Sequence, residues 1–554
     1  MTPATLRMPA SAIAILPGLG WAWPFAAPLL GGLITLGVFG VAMLNPFDAG
    51  WMLAGAFGPD PVQYWLGWRF FAQAPWSWPP GLSPAYGMEL SSSVFYADSI
   101  PLLALPLKLL APDLQQYWGL WLLVCGMAQG WFGWVLMGHA TRNPLARLMG
   151  AGLMVLQPML LNRMAGHLAL AGQWTVLAAL ALALRPPGAR RQALAWMVLV
   201  PATALVHAYL LVMVAAIWAA DWLRRALDGG LGRHLAEALA VPAAALLALW
   251  LAGFFALAGG HGAPGYGAMM LDLTAPLNPA HWGGLLPALP QIGHPESGGI
   301  YLGLGGLLLL AGGLLGTRRA PPLRLWPLGA ALLAMLAFAI TPRVAVLGHV
   351  VELFTLPAWA EALASSLRAS ERFAWPMLYL ALVAGAVGLA QRLGSRRTGL
   401  VMAALLGLQA VDLRPGFGFV HGLMAQAQAN AQARSIAAEA PFWAQAAALG
   451  YHRLRAVPAG NQGAGWEAAA VIAARHGMAT DAVYLARIDA EGVAALVPRV
   501  AALLRDGRHE PGTLYILRDA ESLALAQAGM NPARDLLTRV GGVDVLAPGW
   551  LHKP

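Results

Sequence analysis

Lysine is nearly absent. Among 554 residues it occurs only at Lys108 and Lys553, so the basic charge is carried almost entirely by arginine. Cysteine is scarcer still: Cys125 stands alone, which excludes an intrachain disulfide and any cysteine-built metal cage. Charge of both signs is sparse, with 11% of residues charged and 59% apolar, where a soluble domain carries about 25% charge. Water cannot solvate such a chain along its whole length. Apolar runs of about 20 residues, the length that crosses a bilayer, recur along it and predict a multi-pass membrane protein. The formal net charge of +9 is spread over short loops as isolated arginines and small clusters. That pattern suits anchoring against anionic lipid and argues against a nucleic-acid partner. No internal repeat is visible. The stretch Gly460–Gly465 lacks the spacing and the strand-to-helix register of a phosphate loop.

The long uncharged run after Arg7 is interrupted by Pro17 and Pro24, so it reads as an interfacial lead-in and a first span, Phe25–Leu44, and not as a cleaved signal peptide. Further spans are expected at Gln116–Met137, Pro144–Leu161, Leu168–Leu184, Ala193–Leu205, Ala208–Ala220, Ala236–Ala258, Ile300–Leu315, Leu325–Ile340, Ala374–Leu389 and Gly399–Val411, about eleven in all. The run 193–222 is divided in two because arginines flank both ends, Arg190 and Arg191 before it and Arg224 and Arg225 after it. With that division Arg142, Arg147, Arg185, Arg233, Arg318, Arg319, Arg324, Arg392, Arg396 and Arg397 also fall on the inner side. The positive-inside rule then places the N-terminus in the cytoplasm of a bacterial inner membrane. A transmembrane domain of residues 1–413 is followed by an extracytoplasmic domain, 414–554, in which charge rises and long apolar runs cease. An alanine-rich helix over Leu423–Leu449 is expected to lead into it. Strands at Leu454–Val457, Ala482–Ile488, Thr513–Leu517 and Val543–Leu546 alternate with helices at Trp466–His476, Gly492–Leu504 and Ala520–Ala528, which predicts a small parallel α/β fold.

The first outer loop, 45–114, is too long for a connector and too apolar to be fully hydrated. Its aromatics and prolines suit short helices at the membrane surface, one of them over Asp60–Phe71 after the Gly58-Pro59 break, with Ile100–Leu110 interfacial or re-entrant. Under this topology the out-of-place polar residues gather at the outer ends of spans. They are Asp60, Tyr64 and Asp98 in the first loop, His167 and Gln173 at the fourth span, and His207 and Tyr209 at the apex of the fifth and sixth. Tyr266, Asp272, Asn278, His281, His294 and Glu296 lie in the outer loop 259–299, and Arg368, Ser370, Glu371 and Arg372 precede the tenth span. Ionisable groups at membrane depth are costly and point to function. Each also has a structural reading: Asp60 and Asp98 as helix caps, the histidines as hydrogen-bonded interfacial groups, the arginines as headgroup anchors, Glu371 as a solvated neighbour, Trp76 and Trp78 as interface anchors. The i, i+4 spacing of Arg368 and Arg372 would set both on one helix face, ready to grip a phosphate.

One span, a long outer loop with an early Asp, a helical bundle with short paired helices and a soluble outer domain together resemble the GT-C superfamily of polyprenyl-phosphate-dependent glycosyltransferases. More narrowly, Gly58-Pro-Asp-Pro-Val-Gln-Tyr64, Phe95-Tyr-Ala-Asp-Ser-Ile-Pro101, Gly166-His167 and Ser370-Glu-Arg-Phe-Ala-Trp375 are similar to segments of an uncharacterised family of bacterial multi-pass proteins. The superfamily resemblance implies a polyprenyl-phosphate-linked sugar as donor, the bilayer as its solvent and a cell-envelope glycan or lipid as acceptor. Its first-loop acid, carried over as Asp60, serves as general base or helps to hold a divalent metal. Many members place a second acid beside it. Here Pro61 and Val62 follow, which leaves a magnesium or manganese ion open. His167 and His207 would position the acceptor or share its proton. Tyr64, Asp98, Gln173, Tyr209, Tyr266, Arg368, Ser370 and Arg372 would line the substrate site. Two other classes fit the same topology: a transporter or flippase of a lipid-linked amphiphile, and a non-catalytic scaffold of envelope biosynthesis. The gathering of charge on one side speaks against a midplane transport site.

Overall fold

Small residues decide how the apolar helices meet. Without a hydrophobic force between helices in lipid, close backbone approach supplies the contact. Helix Trp23–Phe39 lies along helix Trp118–Met137 so closely that a Cβ on Gly31 would stand 2.0 Å from the Gly126 carbonyl oxygen. In the same way helix Gly303–Leu314 meets helix Trp375–Leu393 through Gly313, whose Cβ would fall 2.4 Å from the Gly385 backbone. The structure, a computed structural model, describes residues 23–186, 189–256, 265–294, 298–316, 323–460, 465–485, 487 and 489–553. The N-terminal lead-in, Glu296, Arg318, Arg319 and the glycine-rich stretch after Gly460 lie outside the described residues.

Each expected span coincides with a helix, but several are short or broken. By length and apolar composition, three helices among the described residues are long enough to cross a membrane alone: Trp118–Met137, Leu323–Ile340 and Ser370–Leu393. Two bent pairs, Pro144–Val155 with Pro158–Met164 and Ser395–Asp412 with Arg414–Asn430, add up to two more. The run 193–222 is indeed two helices, Ala189–Ala204 and Ala208–Gly229, parted at His207. Arg224 and Arg225, expected as lipid anchors, are buried instead. Both bond Asp221, which also accepts from Gln192 and Trp196, and Arg225 continues to Glu237 on helix Leu235–Leu251. Buried charges survive only when paired and hydrogen-bonded, so this network ties three successive helices together.

The C-terminal region differs from the expected parallel fold. Strands β1 (Arg343–Val346) and β2 (His349–Glu352) form an antiparallel hairpin between membrane helices. The C-terminal sheet contains β3 (Arg453–Val457), β4 (Ala479–Thr480), β5 (Thr513–Leu517), β6 (Leu536–Val540) and β7 (Val543–Ala547) in the order β4-β3-β5-β7-β6. It is mixed: β3 pairs parallel with β4 and β5, while β7 runs antiparallel to both β5 and β6. The hairpin arises at Gly541-Gly542, both at positive φ, the two-residue turn that matches strand twist. The strand expected at Ala482–Ile488 does not form over its described residues 482–485. Its place at the sheet edge is taken by the first outer loop, where Thr480 donates to the Ala85 carbonyl and Gly87 donates to the Thr480 carbonyl. The alanine-rich helix is likewise two, Arg414–Ala438 and Pro441–Ala448, because Pro441 cannot continue the first.

Candidate active site

Helix Asp60–Gln73 starts where Gly58, at φ +82, turns the chain and Pro61 presets the first turn. Asp60 is the first helical residue, with Pro59 ahead of it, and no side chain caps this end. The capping role is therefore not what Asp60 does. Its Oδ2 lies 2.7 Å from Nδ1 of His167. His167 stands between helix Pro158–Met164 and the 3₁₀ turn Leu168–Gln173, at a break that frees its ring from helical packing.

Asp98 reaches the same place through a tight backbone approach. Gly67 faces the 97–99 segment, and a Cβ there would stand 2.4 Å from both the Ala97 Cβ and the Ser99 Oγ. Gln63 Nε2 donates to the Tyr96 carbonyl at 3.2 Å, and Ser99 Oγ donates to the Tyr64 carbonyl at 3.3 Å. The loop is thus fastened to the helix that carries Asp60. Asp98 and Ile100 both adopt left-handed backbone, at φ +49 and +48, a strained conformation that concentrates at functional sites. Helix Pro101–Leu110 follows, but Asp98 does not cap it. Leu102 N donates to the Leu205 carbonyl, which draws this turn to the break before His207. The His207 Nδ1 accepts from the Tyr209 backbone N–H, so its proton belongs on Nε2, and that atom faces Asp98 Oδ1 at 3.8 Å. Two acid–histidine pairs result, one from each end of the loop.

Burial, joined by the negative charge of Asp60, pushes the Asp98 carboxyl up to about 7, against the opposing pull of His167 and Arg372. An acid whose folded pKa is raised binds its proton more tightly folded than unfolded, so stability is lost as pH climbs from the ordinary carboxylate range through about 7. Asp98→Asn, which cannot ionise, is expected to gain stability relative to the unmodified chain as pH rises through that window. Thermal unfolding of both proteins across the window checks it; a constant gap would mean that Asp98 is ionised throughout.

Arg372 lies with its guanidinium 4.7 Å from the Tyr209 ring centre, and the Tyr209 hydroxyl accepts from Ala369 N–H at 3.0 Å. Tyr209 therefore holds the arginine segment in place. The expected helical i, i+4 face is not realised. Arg368 is exposed in a non-helical segment and Arg372 is buried in the 3₁₀ turn Ser370–Ala374. Bonds from the Glu371 N–H and the Ser370 hydroxyl to the Met269 carbonyl fix this backbone, so Ser370 is a structural tether. Glu371, expected in solvent, is buried 4.0 Å from Arg163 and 3.7 Å from His294. Gln173 lies apart from the acids. It accepts from Tyr379 and donates to the Met159 carbonyl in a buried polar chain. The Tyr266 hydroxyl is spent on the Phe338 carbonyl. Asp272 accepts from Thr274 and from the backbone of Leu347 and Gly348, and so anchors the β1–β2 hairpin. Asn278 is tied to its own loop through Leu289 and Ala280.

Tyr64 joins the acids. Burial and the charges of Asp60 and Asp98 raise its hydroxyl well above the usual tyrosine range, with Arg372 opposing. It stays a donor at any physiological pH. Sequence reading passed over Tyr484, which feels Asp60, Arg368 and Asp98 in the same way. Nothing in its local sequence marks it; only the docking of the C-terminal sheet brings it here. Among the described residues no three His, Cys, Asp or Glu side chains converge as a cage for a metal ion.

The chain is similar to two solved structures of ArnT from Cupriavidus metallidurans. One is in the apo state, at 15% identity and a TM-score of 0.48 over 95% of this chain and 98% of that one. The other is bound to undecaprenyl phosphate, at 14% identity and a TM-score of 0.47 over 96% and 98%. No curated protein matches it. Two family models do, one a domain of unknown function, DUF6311, over residues 28–414, and the other the DUF6311 C-terminal domain over residues 442–548. The chain belongs to the DUF6311 family.

Proposed function

We propose that this protein is a membrane-embedded glycosyltransferase of GT-C type that moves a sugar from a polyprenyl-phosphate donor to a cell-envelope glycan or lipid acceptor. The observation that carries the reading is the pairing of Asp60 with His167 at 2.7 Å, beside a second acid–histidine pair and within the field of Arg372. Such a group suits base-assisted attack on an anomeric carbon that carries a phosphate leaving group. The acceptor hydroxyl oxygen forms a bond to the anomeric carbon from the face opposite the phosphate, the carbon–oxygen bond to phosphate breaks, and the configuration inverts. The hydroxyl proton passes to Asp60, with His167 orienting the carboxylate and sharing the proton. The electron pair of the broken bond leaves on the phosphate, where Arg372, supported by Arg368, stabilises the growing negative charge. Asp98 and His207 flank the acceptor, and Tyr64 donates to the substrate.

In this reading about eleven spans cross the bacterial inner membrane, with the N-terminus in the cytoplasm. The site and the C-terminal domain face outward, a reading that the arginine distribution supports. The polyprenyl tail lies in lipid between the helices.

Removing the cation that meets the leaving phosphate tests the assignment. Arg372→Ala in the purified protein is expected to lower kcat for sugar transfer by about 100-fold or more, the scale of losing one charge-stabilising group. Transfer from the lipid-linked donor, followed by product formation, reads it. An unchanged kcat would place the phosphate elsewhere.

A further inference from the structure

We infer that the C-terminal domain completes the active site, by supplying the Tyr484 hydroxyl as a hydrogen-bond donor to the donor phosphate. This rests on the glycosyltransferase reading and extends it from the acceptor-binding role expected of the C-terminal domain to the donor phosphate. The geometry begins at Tyr86 in the first outer loop. Its ring stacks on Phe70 of helix Asp60–Gln73 at 5.0 Å. Its hydroxyl donates to the Tyr484 carbonyl at 3.3 Å and accepts from the Tyr484 N–H at 3.4 Å. The backbone of Tyr484 is thereby fixed to the helix that carries Asp60 and Tyr64. Three residues on, Arg487 Nη2 donates to the Ser366 carbonyl at 2.9 Å, two residues ahead of Arg368. Tyr484 and Arg487 therefore link the two halves of the proposed site, the acids on one side and the arginines on the other. Trp466 stacks on the Tyr484 ring at 5.4 Å and limits its swing.

The hydroxyl itself has no hydrogen-bond partner among the described residues, and neither does that of Tyr64, while Asp60 and Asp98 are paired with histidines. Burial and the charges of Asp60 and Asp98 raise the Tyr484 hydroxyl above its usual range, with Arg368 opposing. It keeps its proton and can only give a hydrogen bond to an anion. Tyr64 feels Arg372 as Tyr484 feels Arg368. Two protonated hydroxyls and two guanidiniums together make a donor set matched to the several oxygens of a phosphate.

Tyr484→Phe tests this in the full-length protein, since the change removes one unpartnered oxygen and leaves the stacked ring and both backbone bonds in place. Transfer kinetics with varied donor are expected to show kcat/KM for the lipid-phosphate sugar falling about tenfold, the effect of one lost hydrogen bond to a charged group. The KM for the acceptor and the thermal unfolding midpoint should not move. Binding of a polyprenyl monophosphate to the same two proteins should weaken by a similar factor. If the unmodified protein transfers sugar and Tyr484→Phe matches it in both assays, the role of Tyr484 is overturned while the glycosyltransferase reading stands. If a loss appears only in acceptor KM, the hydroxyl faces the acceptor and the phosphate assignment is wrong. If the unmodified protein neither binds polyprenyl monophosphate nor transfers sugar, both readings fall together.

Discussion

Asp60→Asn is expected to lower the rate of sugar transfer by about 10²–10⁴-fold, the contribution of a positioned general base. The substitution keeps the size of the side chain and one acceptor oxygen, so the contact with His167 can persist as a neutral hydrogen bond. What disappears is the basicity. Because Asp60 caps nothing, the loss cannot be passed off as helix unravelling, and the thermal midpoint should change little. Donor binding should be equal to or slightly tighter than in the unmodified protein, since a negative charge near the phosphate has gone. Single-turnover rates and a separate binding measurement distinguish the two effects. Full activity in Asp60→Asn would end the base assignment. A collapse of folding would return Asp60 to a structural role.

Arg455→Met is expected to destabilise the C-terminal domain by about 3–5 kcal/mol, the scale of removing one partner from a buried ion pair. Arg455 is buried in the middle of strand β3 and gives charge-assisted bonds to Asp481 at 2.8 Å, Glu510 at 2.5 Å and Glu89 at 2.6 Å. Asp481 is fully enclosed, and burial raises its carboxyl to about 6 even with the arginine alongside. Without Arg455 that acid must stay protonated or draw in water. Asp481 also accepts from the Ala456 N–H of β3, so the disturbance enters the sheet directly. Glu89 belongs to the first outer loop and is held a second time by Arg499 at 2.7 Å. Arg455 therefore also fastens the domain to the loop that carries the acids. Limited proteolysis and thermal unfolding should show the C-terminal domain released first, with transfer lost in parallel. A domain as stable as before would mean that backbone pairing at Ala85–Gly87 suffices to hold it.

The apolar helices were legible because apolar length is a strong signal, and even the division of 193–222 at His207 followed from where arginines lie. Asp60, Asp98, His167 and His207 were legible as outliers: charged or titratable groups at helix breaks in a chain poor in charge. Their pairing was not. It depends on Gly67 admitting the 97–99 turn and on Leu205 drawing that turn toward His207, contacts between segments far apart in sequence. Arg368 and Arg372 misled because their spacing is helical, while Tyr209 and Met269 hold the backbone between them out of a helix. Gln173, Tyr266 and Ser370, expected in the site, spend their hydrogen bonds on the scaffold. In the C-terminal domain strand β6 and its antiparallel pairing with β7 were missed, although the Gly541-Gly542 pair between them is a hairpin signal. The missing strand after Thr480 was not readable, because another part of the chain occupies that edge. Tyr484 illustrates the same limit. Its position follows from domain docking, which no local pattern encodes.

The central claim is most directly tested by giving the purified protein, in lipid, a polyprenyl-phosphate-linked sugar and a cell-envelope acceptor, and measuring both products. The glycosyltransferase reading predicts glycosylated acceptor and free polyprenyl phosphate in equal amounts, with inverted configuration at the new bond. Intact donor carried across the bilayer with no sugar transferred would contradict it and identify a flippase instead.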